Sequence, residues 1–181
     1  MDREIYDGLG RILSYPGPIY RKNLEICWAH AAVANRAAAA FLWDLLEETR
    51  GMSTPDLQEL YTRTFDLNPV CALDVGWHLY GEAYERGRFL VRMREMLRQV
   101  GIAEGTELPD HLTAVLPALG RLAPEEAGAV ASAYVLPALR RMLEGLSGKD
   151  NPYEKALAAA RLLLEGRVQA PAGAVEEEIH A

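Results

Sequence analysis

The chain has 181 residues with a formal net charge of −7, from 26 acidic and 19 basic side chains, and contains 27 alanines and 26 leucines against only 22 valines, isoleucines and threonines together. Alanine and leucine lose little side-chain entropy in a helix, whereas the β-branched residues that suit strands are scarce, so the composition predicts an all-α protein. The acidic balance argues against a nucleic-acid partner, and the length suits one domain burying roughly 70% of the surface of its unfolded chain.

Period-3.6 segments divided by glycine and proline predict a single-domain bundle of about seven or eight helices. The first spans about Asp2 to Leu13 and stops before Tyr15-Pro16-Gly17-Pro18. Two alanine-rich segments follow, about Ile19 to Ala34 and Arg36 to Thr49, which could form one long element. After Gly51, Ser53 or Thr54 is the predicted N-cap of a fourth helix with Pro55 and Asp56 in its first turn, ending near Asn68-Pro69. A short helical piece is expected at Ala72 to Tyr80, then a long helix from about Tyr84 to Val100 whose apolar residues share one face. Pro109 and Asp110 should open a helix running to Leu122. The next begins at Pro124 and reaches Leu146, and Pro137 inside it predicts a kink or break near residues 133 to 137. A last helix follows Asn151-Pro152. From Gly166 onward the acidic composition offers nothing to pack, so residues 1–165 read as the helical domain and 166–181 as a disordered acidic tail.

The N-terminus lacks a signal-peptide apolar region and there is no run of 18 apolar residues, so a soluble, cytoplasmic protein is expected. Cys27 and Cys71, 44 positions apart, form no metal-binding pair and read as reduced, buried thiols. None of the four serines lies in a G-x-S-x-G turn, and no phosphate-binding loop is present. Glu107 and His111 have one-turn spacing, but Pro109 between them argues against a shared helix, and no second pair completes a metal set. Neither an enzyme nor a cofactor or metal of its own is therefore expected.

The most informative stretch runs from Tyr61 to Arg98. It gathers Tyr61, Phe65, Trp77, Tyr80, Tyr84 and Phe89, and Gly76, Gly81 and Gly87 interrupt it. A glycine in helical sequence costs about 1 kcal/mol relative to alanine, so something local must offset it. His78 reads as an imidazole bonded to a backbone carbonyl, and in Asp110-His111 the aspartate reads as a cap or dipole partner for the following helix. Arg86 falls near the centre of the long helix's apolar arc. Either that helix begins after Gly87, the favoured reading, or Arg86 is buried and needs a carboxylate such as Asp66 or Asp74. The arginines between residues 84 and 98 read as a solvated face.

Four pieces of this region resemble a known family. They are Leu60-Tyr61-Thr62-Arg63-Thr64-Phe65-Asp66-Leu67, His78-Leu79-Tyr80-Gly81-Glu82, Glu85-Arg86-Gly87-Arg88 and Glu107-Leu108-Pro109-Asp110-His111-Leu112. Their order and spacing are similar to those of the molybdoenzyme maturation chaperones, in particular the nitrate reductase delta-subunit or NarJ branch, related to TorD and DmsD. Ala83-Tyr84 departs from that branch, which usually has serine and arginine there. The resemblance implies a cytoplasmic all-helical chaperone that binds the N-terminal segment of the catalytic (alpha) subunit of a molybdoenzyme, most readily nitrate reductase. It would hold that client for molybdenum cofactor insertion before membrane docking. By resemblance, Tyr61, Phe65, Asp66, His78, Leu79, Gly81, Arg86 and Gly87 form the peptide-binding groove and its support, and Asp110 and His111 belong to a contributing loop. Asp66 and Asp110 would supply charge for a basic client, and Tyr61, Phe65 and Leu79 apolar contact. A monomer or a dimer is compatible with the resemblance. Two alternatives stay open: a small-ligand binder or enzyme using His78, His111 and Arg86, and a structural subunit retained in an oxidoreductase complex.

Overall fold

The computed structural model describes residues 2–169. Its elements are α1 (Asp2–Ile12), α2 (Tyr20–Ala34), α3 (Arg36–Glu48), α4 (Thr54–Tyr61), a π-helical turn (Thr62–Asp66), α5 (Val75–Tyr80), α6 (Tyr84–Gln99), α7 (Leu112–Leu119), α8 (Pro124–Val130), a second π-helical turn (Ala131–Val135), α9 (Leu136–Leu146) and α10 (Tyr153–Gln169). The all-α reading holds. The segments outnumber the seven or eight predicted because α2 and α3 are separate helices and the proline-containing helix is split by its π turn.

Three of the boundaries have a local cause. Asn35 adopts an extended conformation (φ −154°, ψ 105°) and its side-chain oxygen accepts hydrogen bonds from the amides of Ala37 and Ala38, which ends α2 and caps α3. Ser53 and Asp56 form a reciprocal capping box at α4. The proline ring of Pro137 would collide with the preceding turn of a regular helix, and the wider turn at 131–135 lets the chain run on into α9.

The core centres on α1, which lies between α2 and α7, while α10 packs on α3 and α9. Leu9, Ile12 and Leu13 meet Leu24, Leu42, Leu112 and Leu116 in one buried cluster, and α10 adds Ala156, Leu157, Ala159, Ala160 and Leu164. The small alanine side chains let α10 sit close to its neighbours. On the opposite flank α5 packs between α6 and α9, and α6 also touches α7.

Two boundaries correct the sequence reading, and a third decides between its alternatives. The long helix starts at Tyr84, as its periodicity predicts, and does not wait for Gly87: it follows an extended Ala83, with Glu85 placed favourably in its first turn. Pro109 and Asp110 do not open α7. His111 is its N-cap and accepts a hydrogen bond from the Thr113 amide, because the Asp110 carboxylate is drawn elsewhere. α10 continues through Gly166 to Gln169, held by the Asn35 side-chain amide donating to the Leu162 carbonyl and by the Arg167 guanidinium lying 5.4 Å from the Tyr6 ring centre. The remainder of the predicted tail, 170–181, lies outside the described residues.

Candidate functional site

Three of the four motif pieces converge around α5. Residues 74 and 111 pair as a single antiparallel bridge, with the Leu112 amide donating to the Leu73 carbonyl (3.0 Å) and the Val75 amide to the Asp110 carbonyl (3.1 Å). Asp110 is fully buried, and its Oδ2 accepts from the Gly76 amide at 2.7 Å, so it caps α5 from 34 residues away. Burial raises the Asp110 carboxyl above its ordinary value, the Gly76 amide pulls it down, and the charge of Asp74 raises it further. Gly76 has no room for a side chain: a Cβ there would lie 2.8 Å from both Asp110 Oδ2 and Phe89 Cδ1. That contact explains the first of the unexplained glycines.

His78 is buried, and its Nε2 lies 2.6 Å from the Ala72 carbonyl oxygen, as read from the sequence. Burial lowers its pKa, and the Arg141 charge lowers it further. The Arg141 guanidinium donates to the His78 carbonyl, tying α5 to α9. Arg86 lies inside α6, half-buried and 5.5 Å from the centre of the Trp77 ring, and its charge lowers the Asp110 carboxyl, so it meets a π face and a buried carboxylate other than Asp66 or Asp74. Its Nε is buried without a hydrogen-bond partner, as is Asp110 Oδ1. Leu79 is half-buried; Gly81 ends α5 at φ 55°, and Gly87 is exposed with open space where a side chain would go.

The first motif piece builds the floor of the next layer. Tyr61 and Phe65 are both buried, with ring centres 5.1 Å apart and each edge-on to Tyr153, and the Tyr61 hydroxyl donates to the Leu13 carbonyl at 3.1 Å. Burial raises the Tyr61 hydroxyl, and the carboxylates of Asp66, Glu107 and Asp74 raise it further. The charges of acidic residues from three segments thus reach the Tyr61 hydroxyl, and Asp66 and Glu107 are solvent-exposed. The charge expected of Asp66 and Asp110 is therefore presented at the surface by Asp66, with Asp74 and Glu107. Asp110 faces inward. Tyr61 and Phe65 support the surface from below and do not present an apolar face to solvent.

The apolar surface lies beside this floor. A groove of 540 Å³ is lined by Pro69, Val70, Trp77, His78, Gly81, Arg141, Glu144 and Gly145. The Trp77 indole N–H donates to the Pro69 carbonyl at 2.8 Å, which fixes the ring along the groove. Gly145 lets the 69–71 loop lie on α9, since a Cβ there would stand 2.7 Å from Val70 Cγ1 and 3.0 Å from the Cys71 sulfur. Val70 is 56% exposed and Leu67 75%, large values for apolar residues. Arg141, Glu144 and Gly145 were missed because α9 carries no recognisable motif and only folding brings it against α5, and Val70 because a single loop valine leaves no pattern in sequence.

The described residues contain no group of three His, Cys, Asp or Glu side chains able to hold a metal ion, and no helix long and apolar enough to cross a membrane. His78 and His111 each engage a near neighbour, the Ala72 carbonyl and the Thr113 hydroxyl (2.7 Å). The site is a shaped surface with an apolar groove and an acidic edge.

The profile of the nitrate reductase delta subunit family matches residues 29–165, a span that includes every motif piece and the groove. The chain belongs to that family. It is 31% identical over 123 residues to the nitrate reductase molybdenum cofactor assembly chaperone NarJ of Escherichia coli strain K12, and equally to that of Escherichia coli O157:H7. The match covers 66% of this chain and 52% of each relative, so the chain spans about half the length of the curated relatives it matches. In this delta-subunit family member, the bridge between residues 74 and 111 ties the fourth motif piece to the segment that leads into α5, where the second piece begins.

Proposed function

We propose that the protein is a maturation chaperone for a molybdenum-containing nitrate reductase, which binds the N-terminal segment of the catalytic subunit and holds it for cofactor insertion before membrane docking. The observation that carries this reading is the pairing, within the span matched by the family profile, of an exposed apolar groove at Val70 and Trp77 with the carboxylates of Asp66, Asp74 and Glu107. An amphipathic basic segment fits both halves: its apolar side chains cover the groove and its cations meet the carboxylates. The relatives are named as assembly chaperones and not as enzymes, in keeping with a surface built for holding a chain.

Calorimetric titration of the full chain with a synthetic peptide of the catalytic subunit's N-terminal segment tests the reading. Val70→Asp places a charge in the groove without touching the core and is expected to weaken binding at least about tenfold, the loss typical of a significant interface position. Asp66→Asn is expected to weaken it less and to reduce its salt dependence. Wild-type-like affinity in both variants would remove the peptide from this surface.

A further inference from the structure

The outer face of the α2–α3 hairpin differs in chemistry from the rest of the molecule. From Ile26 to Trp43 the sequence carries one formal charge, Arg36, in a chain of net charge −7. Trp28 and Trp43 lie seven and eight residues on either side of Asn35, and their rings meet at a tilt with centres 5.3 Å apart, so the two helices run antiparallel. While Ala38, Leu42 and Leu45 of α3 are buried, Arg36, Ala37, Ala40, Trp43 and Asp44 form an exposed stripe along it. Val33 of α2, at the tip beside it, is 73% exposed and Trp43 46%.

The order of residues in that stripe is self-complementary. When two α3 helices cross antiparallel about a two-fold axis at Ala40, position 37 faces 43 and position 36 faces 44. The Trp43 ring of each copy then covers the small Ala37 of the other, and each Arg36 meets the second copy's Asp44. A two-fold interface requires this, since one patch must fit itself. The alanines at the crossing point let the backbones approach closely, and the neutral face avoids the repulsion that two chains of net charge −7 meet elsewhere.

We propose that the exposed α3 stripe is a self-association surface on which a second copy of this chain docks antiparallel about Ala40. A basic client segment gains nothing from so neutral a face, and an anionic bilayer would repel the chain's excess negative charge. The assignment stands apart from the chaperone reading, because it uses none of the motif residues.

Sedimentation equilibrium of the full chain, at concentrations up to about 200 µM, reads it directly. The wild type is expected to be dimeric at the upper end. Ala40→Glu, which brings two carboxylates together on the axis, is expected to raise the dissociation constant at least about tenfold while leaving the helical circular dichroism unchanged. Arg36→Asp alone should weaken the dimer, and the charge exchange Arg36→Asp with Asp44→Arg should restore it, an outcome that general surface effects do not produce. A wild type that stays monomeric throughout, or a double variant no tighter than Arg36→Asp, overturns the proposal. Flotation of the wild type with phosphatidylcholine–phosphatidylglycerol vesicles, lost in Ala40→Glu and without dimerisation, would assign the stripe to lipid instead.

Discussion

Gly76→Ala tests the buried junction beneath the groove. The new methyl group would stand 2.8 Å from Asp110 Oδ2 and 2.8 Å from Phe89 Cδ1, and both neighbours are enclosed. Phe89 is flanked by Tyr80 and Tyr134, at centroid distances of 5.5 and 5.1 Å, so its ring cannot simply turn away. Moving the carboxylate instead stretches the 2.7 Å hydrogen bond from the Gly76 amide. Overpacking a closed site costs about 1–3 kcal/mol, and weakening a hydrogen bond to a buried charged acceptor costs about 1.5–3 kcal/mol if it is lost altogether. Alanine returns about 0.5–1 kcal/mol through helix propensity and a less disordered unfolded chain. The net expectation is a loss of about 2–3 kcal/mol, a fall in melting temperature of about 4–12 °C for a chain of this size. Gly87→Ala is the control: it lies in α6, exposed, with nothing near its would-be Cβ, and is expected to stabilise by about 0.5–1 kcal/mol. Urea unfolding followed by far-ultraviolet circular dichroism gives both values. Equal effects in the two variants, or an unaffected Gly76→Ala, would refute the steric account of the motif glycines.

Further expectations follow from the same geometry. The His78 pKa is lowered from 6.5 in the fold, so the folded state binds fewer protons than the unfolded chain. The stability this confers is present above pH 6.5 and is lost as pH falls through the lowered native value; His78→Gln should flatten that part of the pH profile in urea midpoints. Tyr61→Phe keeps the ring contacts with Phe65 and Tyr153 but leaves the Leu13 carbonyl without its phenolic donor, and a loss of about 1 kcal/mol in urea unfolding is expected, with near-ultraviolet dichroism little changed. A loss above about 3 kcal/mol would mean that the ring itself had moved.

The bundle and most of its helix ends were legible in the sequence because they rest on local physics. Ser53 announces α4 by its own side chain, and Pro137 forces an adjustment whatever the rest of the chain does. The His78 hydrogen bond was legible for a similar reason, since the Ala72 carbonyl is six residues away. The misreadings share a different cause. Asp110 looked like the cap of its own helix, yet it caps α5, because the pairing of residues 74 and 111 brings the Gly76 amide within 2.7 Å of it. Arg86 looked too polar for the interior, and only the fold supplies the Trp77 ring that receives it. Gly166 looked like the end of order, but contacts from Asn35 and Tyr6 carry α10 past it.

By itself, then, the sequence determined the all-helical fold, the family motif and the excess of acid, all of which depend on composition or on neighbours along the chain. The groove was decided by tertiary structure, because its two walls, Trp77 on α5 and Gly145 on α9, come from distant segments whose contact no periodicity encodes. The same holds for the acidic edge: Asp66, Asp74 and Glu107 are scattered carboxylates in sequence, and only in the folded chain do the charges of all three bear on the Tyr61 hydroxyl.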